Sequence, residues 1–361
     1  MLIGSIYGWE LGRDDIFDPL SSRNRDDCME PMRALRDYAH SKGIELHTAD
    51  IVKAMGLKPD FNLYVESIPV DKIAAGINCL LLFETPLTVP INSDYSYLNQ
   101  FDEIFTWDLD LLERKRSGAL LGKLDYPELT EIRTPNPIPK EFYEPPPHLG
   151  FNGRTQFCCL IGSNRHANFP DKRELYSERV KAIRWFEKNV GDQFYLYGNG
   201  WNVPKKRLGK VGKLIYRLQK IIPFLTRRPV FPSYQGPAKS KHEVLSKTRF
   251  CICYENARDL SGYLTEKIFD CLFAGCIPIY WGEPDIEKWI PSECFIDFRK
   301  FSSYEELYKY LLNMPEEIFI EMQNVGRHFI AGESFQIHSS KSFASNIIDR
   351  IYSQINLLER V

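Results

Sequence analysis

Residues 250–282, FCICYENARDLSGYLTEKIFDCLFAGCIPIYWG, constrain the fold more than any other stretch of this chain. The apolar run Phe250–Tyr254 suits a buried strand. A polar loop, Glu255 to Gly262, leads through Tyr263-Leu264-Thr265-Glu266-Lys267 into a segment whose Ile268, Phe269, Leu272 and Phe273 recur at helical spacing. Gly275 ends that helix, and Cys276–Tyr280 is a second buried strand closed by Gly282. The unit is strand–loop–helix–strand, the building block of parallel α/β sheets. Its charges, Glu255, Glu266 and Lys267, fall where strand gives way to loop and helix. That is the edge at which open α/β sheets bind ligands.

The same alternation runs along the rest of the chain. Leu2–Tyr7, Ile44–Thr48, Phe61–Val65 and Cys79–Phe83 read as strands, with a helix around Met32, Leu35, Tyr38 and Ala39 that ends at Gly43. Residues 9–27 read as a loop over an active-site edge. A first small Rossmann-like sheet is expected over residues 1–150. Six of the thirteen residues from Pro135 to Pro147 are proline, which excludes a central strand or helix and predicts an extended linker over about 135–149. In a second Rossmann-like domain, 151–335, Phe157–Ile161 ends in Gly162-Ser163-Asn164. A helix follows over roughly Lys172–Asn189, and Gln193–Tyr197 ends in Gly198-Asn199-Gly200. A strand at Cys294–Phe298 and a helix over about Ser303–Leu312 complete it. Residues 336–361 hold an amphipathic helix, with Phe343, Ile347, Ile348, Ile351, Ile355 and Leu358 on one side, that is expected to dock back across the domain interface.

At 361 residues, two domains are the default. A net charge of −2 gives no support to nucleic acid as the main partner. The N-terminus lacks the pattern of a signal peptide, and no stretch approaches a bilayer span, so a cytoplasmic location is expected. The nine cysteines, an odd number without a C-x-x-C, read as buried free thiols in a reducing compartment, and no metal site is predicted. The segment between Trp201 and Pro229 is rich in Lys and Arg, with no acidic residue and an apolar side at Leu214, Leu218, Ile221 and Ile222. It reads either as peripheral membrane contact through 203–228 or as a solvated basic helix packed by its apolar side.

The chemistry-bearing residues gather at strand ends. A helix N-terminus carries partial positive charge, and Lys267 in its first turn works against that dipole unless an anion such as a diphosphate lies nearby. Arg173, expected at the start of the helix after Ser163-Asn164, offers a second cation. An ion pair or a solvated charge is the alternative at both positions, and for Glu266 the alternative is favourable N-terminal helix charge. Walker A, G-x-G-x-x-G, G-x-S-x-G and H-E-x-x-H patterns are all absent.

Phe250–Asn256, Gly262–Lys267 and Gly275–Gly282, continuing through Ile290-Pro291 and Cys294–Asp297 to Phe301, resemble the donor-binding signature of family 10 glycosyltransferases, the α1,3/4-fucosyltransferases. Ser163-Asn164 with Arg173, and Tyr197-Gly198, match weaker family patterns. Glu84-Thr85-Pro86 resembles the family's Glu-Ser-Pro site. Two features depart: the loop from Asn256 to Tyr263 is one residue longer than the usual spacing, and the basic insertion is not a family feature. The resemblance implies an α/β GT-B architecture, two Rossmann-like domains with a cleft between them. The second domain would hold GDP-β-L-fucose and the first an oligosaccharide or glycolipid acceptor. It implies inverting transfer of L-fucose, with an α1,3-type linkage. Glu84 would be the catalytic base; a strand-end carboxylate making structural hydrogen bonds is the alternative. Ser163, Asn164, Arg173, Tyr197, Gly198, Glu255, Asn256, Tyr263, Thr265, Glu266 and Lys267 would bind the donor. No cofactor is required, with divalent-metal stimulation left open. Another GDP-sugar, or a catalytically silent GDP-sugar- or glycan-binding relative, are the competing readings.

Overall fold

The computed structural model describes residues 1–8, 12–66, 76–144, 147–202, 214, 217, 218 and 231–358. Apart from those three positions, the insertion at 203–228 lies outside the described residues, and so does the expectation that it contacts a membrane. Two parallel sheets form the molecule. The first has six strands among the described residues, β1 (Leu2–Tyr7), β2 (Ile44–Thr48), β3 (Phe61–Val65), β4 (Ile77–Leu82), β5 (Glu103–Thr106) and β6 (Glu128–Glu131). Their order is β2-β1-β3-β4-β5-β6. β3 and β4 are buried along their whole length, as parallel strands covered on both faces must be. β6 is half exposed and carries Glu128 and Glu131, charges that suit the open edge it occupies.

The second sheet, ordered β11-β10-β9-β7-β8, is built from β7 (Gln156–Ile161), β8 (Phe194–Tyr197), β9 (Thr248–Tyr254), β10 (Ile277–Trp281) and β11 (Ile296–Asp297). β9 and β10 pair in parallel from Phe250–Ile277 to Tyr254–Trp281, so the stretch that organises the sequence also lies at the centre of this sheet. The strand expected at Cys294–Phe298 is cut to two residues. The Asp297 side chain accepts from the Arg299 amide and turns the chain into a 3-10 helix.

Helices α1 (Glu30–Ser41), α2 (Ala49–Ala54), α3 (Tyr95–Leu98) and α4 (Leu109–Arg116) flank the first sheet. Those of the second half are α5 (Tyr176–Asn189), α6 (Lys241–Ser246), α7 (Glu266–Phe273), α8 (Tyr304–Leu312) and α9 (Glu316–Ala331). The last helix, α10 (Ser340–Leu358), returns to the first sheet. Its Phe343, Ile347, Ile348, Ile351 and Ile355 share one core with Met32, Leu35 and Ala39 of α1 and with Phe61, Leu63 and Leu81 of the strands. Arg350 Nε and Gln354 Nε2 both donate to the buried carboxylate of Glu103, at 2.8 and 2.5 Å. The expected docking of the C-terminal helix is therefore observed, and it completes the core of the opposite half.

The proline-rich segment is pinned, and it holds a 3-10 turn at Lys140–Phe142. Phe142 is buried beside Phe269 and Phe273, and the Asn136 amide donates to the His338 carbonyl.

Candidate active site

The carboxyl ends of the two sheets face each other across a cleft of about 400 Å³. One wall holds Glu66, Phe83 and Glu84, which follow β3 and β4. The other holds the loops after β7, β8 and β9 and the start of α7. Backbone contacts fix the two halves together. The Leu109 amide donates to the Ser261 carbonyl, and Asn168 N to Leu87 O. At Gly262 (φ +90°) a Cβ would lie 2.2 Å from the Trp107 carbonyl oxygen, so glycine is what allows the loop before α7 to approach the opposite half.

The wall formed by the second sheet is organised by one buried carboxylate. Glu255, fully buried at the end of β9, accepts from Thr265 N at 3.0 Å, from Thr265 Oγ1 at 2.8 Å and from Lys267 Nζ at 3.0 Å. Thr265 Oγ1 accepts in turn from Lys267 Nζ at 2.8 Å. The side chain that would ordinarily cap α7 is thus spent on holding Lys267. Burial works against the Lys267 charge, but Glu255 and Glu266 outweigh it and its pKa is raised. Lys241 of α6 lies 2.7 Å from Asp270 and 3.8 Å from Glu266. Burial opposes ionisation of Glu266, yet Lys267 and Lys241 bring its pKa down to about 2. Asp270 is pushed up to about 6 by burial, against the pull of Lys241.

A second network crosses the cleft. Arg179 projects from α5, buried, and donates to the Tyr254 carbonyl at 2.7 Å and to Asn256 Oδ1 at 3.0 Å. Asn256 Nδ2 then donates to Tyr263 Oη at 3.1 Å and to Glu84 Oε2 at 3.3 Å. Arg165 lies 3.8 Å from the other oxygen of Glu84. Glu84, one third exposed and anchored at both oxygens, is available to a molecule in the cleft.

Of the residues expected from sequence, Glu84, Ser163, Gly198, Asn256, Tyr263, Thr265, Glu266 and Lys267 line this cleft. Four do not. Glu255 lies beneath it and acts through Lys267 and Thr265. Asn164 ties two loops together, its amide donating to Asn199 O and its Nδ2 to Gly200 O. Tyr197 Oη accepts from Gln156 Nε2 on the neighbouring strand. Arg173 is the clearest correction. Residues 171–175 are not the expected first turn of a helix. The Arg173 amide and guanidinium both bind Asp171, the Leu175 amide donates to Asn256 O, and the Arg258 amide donates to Arg173 O. This pairing with the loop after β9 delays the helix to Tyr176 and keeps Arg173 out of the cleft.

Sequence reading passed over Arg179 and Glu66. Arg179 left a signal, since it sits at helical spacing with the apolar Tyr176, Ala182, Ile183 and Phe186, a buried face on which a charge needs partners. Glu66 follows an apolar strand just as Glu84 and Glu255 do.

Among the described residues, one group of three side chains lies close enough to share a metal ion: Cys251, Cys253 and Cys271, with sulfurs within 4.8 Å of one another under the cleft floor. Burial pushes the Cys253 and Cys271 thiols well up, while hydrogen bonds from Cys159, Cys253 and Cys271 hold the Cys251 thiol well down.

Residues 199–348 match glycosyltransferase family 10 (fucosyltransferase), C-terminal part. Over those residues the chain is similar to the C-terminal part of family 10 fucosyltransferases. A curated relative, the α-(1,3)-fucosyltransferase FucT of Helicobacter pylori, is 36% identical over 86 residues, which make up 23% of this chain and 18% of the relative. The alignment therefore spans less than a fifth of that relative's length. A crystal structure of an α1,3-fucosyltransferase with GDP-fucose superposes over 98% of this chain and 90% of its own, with a TM-score of 0.50 at 16% identity. Sucrose-phosphate synthase from Thermosynechococcus elongatus gives a TM-score of 0.54 at 10% identity, covering 99% of both chains. At such identities the likeness is one of fold, and the GT-B architecture expected from the sequence is the one observed.

Proposed function

We propose that this chain transfers L-fucose from GDP-β-L-fucose to a hydroxyl of an oligosaccharide or glycolipid acceptor, with inversion and an α1,3-type linkage. The observation that carries this reading is the opposition of Glu84 to the Lys267–Thr265–Glu255 cluster across one cleft, bridged by Asn256. Inversion in a single displacement needs a base on the acceptor side to take the hydroxyl proton as that oxygen attacks the anomeric carbon. Glu84 lies on that side. The leaving diphosphate gains negative charge as the glycosidic bond breaks. Lys267, Arg179 and the N-terminus of α7 place positive charge along the opposite wall. Lys267 and Arg179 are fixed by hydrogen bonds before any ligand arrives, so little reorganisation is needed to hold that charge. In this reading Glu266 accepts from ribose hydroxyls, and Ser163 and Gly198 border the nucleotide. These cations make transfer independent of a divalent ion, so EDTA is expected to leave it intact.

The test is transfer from labelled GDP-fucose to a panel of oligosaccharides, with the anomeric configuration of the product read by NMR. An α-fucoside with release of GDP is expected. A β-linked product would reject inversion, and transfer only from a different GDP-sugar would reject the donor.

A further inference from the structure

Glu66 is a non-glycine residue with φ +61°, a conformation that side-chain-bearing residues adopt at a cost, directly after β3. That turn carries its carboxylate under the loop that bears Glu84. Oε1 accepts from the amides of both Phe83 and Glu84, at 2.5 and 2.6 Å. Oε2 accepts from Asn92 Nδ2 at 2.7 Å, and the same Nδ2 donates to the Glu84 carbonyl at 3.0 Å. Both ends of the Glu84 backbone are therefore held by one Glu66–Asn92 pair. Asn92 is buried, and its Oδ1 has no hydrogen-bond partner, so this amide is committed to the clamp. Across the cleft, Asn256 meets Glu84 at 3.3 Å, a contact that a small turn of the loop would lose.

We propose that Glu66 is a positioning residue for the proton acceptor, holding the Glu84 main chain so that its carboxylate faces the acceptor hydroxyl. The inference rests on the reading of Glu84 as the base. It assigns a task to a residue that shares the cleft wall with Glu84 but spends its carboxylate on the loop. Its oxygens are occupied by the loop they hold, and its effect on transfer runs through Glu84.

A double-mutant cycle on the full chain tests it, with kcat, the acceptor KM and GDP affinity measured for Glu66→Ala, Glu66→Gln, Glu84→Gln and Glu66→Ala/Glu84→Gln. Removing the carboxylate leaves two amides without their acceptor and lets the loop drift, and a misplacement of about 1 Å can lower a rate by about 100-fold. Glu66→Ala is therefore expected to lose kcat by about 10- to 100-fold with GDP affinity kept. Glu66→Gln retains an oxygen for both amides, and turning Asn92 over offers Oδ1 to the new NH₂, so it is expected to stay within about fivefold of the parent, a loss of about 1 kcal/mol or one ordinary hydrogen bond. In the double variant, kcat should match that of Glu84→Gln, because a residue acting only through Glu84 has nothing further to lose.

If Glu84→Gln is inactive while Glu66→Ala keeps full kcat, or if the two losses multiply, the positioning role is overturned and the base assignment survives. If Glu84→Gln is fully active, the base assignment fails and this inference fails with it. Should Glu66→Ala not fold, Glu66→Gln carries the test alone: a loss of kcat beyond about fivefold with GDP affinity kept would overturn the account, because the amides would still have their acceptor.

Discussion

The two walls of the cleft are built in different ways. On the donor side, Glu255, Asn256, Tyr263, Thr265, Glu266 and Lys267 come from one strand–loop–helix unit, and the geometry that holds Lys267 is internal to that unit. On the acceptor side, Glu66, Glu84 and Asn92 come from separate segments and meet only once β3 and β4 are paired. The donor wall is held by a buried ion pair. The acceptor wall is held by hydrogen bonds to a loop backbone. In the proposed reaction the contiguous, rigid clamp would meet the charged diphosphate, and the base would be set in place by separate loops.

The strongest test of this contrast is Glu84→Gln. It removes the proposed proton acceptor while keeping the shape that Asn256 meets, so kcat should fall by about 10²–10⁴-fold, the range for loss of a general base. GDP affinity, measured by titration calorimetry, should not change. Loss of GDP binding in this variant would mean that the two walls do not divide the labour as described.

Lys267→Met comes next, and it separates what the donor-side ion pair does for the fold from what it does for the ligand. The variant leaves Glu255 buried without its cation, a situation that typically costs about 3–5 kcal/mol of stability. It should also weaken GDP binding by about 10- to 100-fold, as expected for loss of a hydrogen bond to a charged group. The double variant Glu255→Gln/Lys267→Met removes both charges. It should recover most of the stability, read from urea unfolding, without recovering GDP affinity. Recovery of GDP affinity would show that Lys267 is a structural partner of Glu255 and nothing more.

That difference in construction also explains what could be read in the sequence. Strand identity in β1, β3, β7 and β9 was legible because each is a largely apolar run, and β2 alternates apolar with polar residues. β5 and β6 were not singled out, because EIFT and ELTE carry glutamates: Glu103 is buried with hydrogen bonds from Thr130 on β6 and from Arg350 and Gln354 on a helix far along the chain. The donor wall was legible as a motif because its residues are close in sequence. Glu84 was legible as a strand-end carboxylate. Glu66 and Arg179 depend on contacts between distant segments, which no local pattern records. Arg173 went wrong for the same reason: an arginine after a strand-end loop looks available until Asp171 and the loop after β9 are seen to hold it.

The acceptor-side carboxylate also makes a pH prediction. Burial pushes Glu66 up to about 7, against the hydrogen bonds from Asn92 and from the Glu84 and Phe83 amides. The folded chain then keeps a proton that the unfolded chain releases near the ordinary glutamate value of about 4.5. The stabilisation from this group is present in full below about pH 4.5 and is lost as pH rises through about 7. Wild type should therefore lose stability relative to Glu66→Gln between pH 5 and pH 8, measured as the shift in urea midpoint. Parallel curves would mean that Glu66 is ionised throughout that range.

The smallest effect is expected at Arg173, and it bears on whether the donor wall is assembled in advance. Arg173 is engaged by Asp171 at 2.8 Å in a pair whose arginine side chain is 41% exposed, and such pairs contribute about 0–1 kcal/mol. Arg173→Ala should change GDP affinity by less than about twofold, since substitutions away from a binding network stay within about 0.5 kcal/mol. Arg179→Gln, which removes a guanidinium from the cleft, should weaken GDP binding by about tenfold or more. Equal losses in the two variants would mean that Arg173 leaves Asp171 and swings into the cleft when a diphosphate binds. The donor wall would then be completed by its ligand, in the way an induced-fit site is, and its advantage of prior fixation over the acceptor wall would disappear.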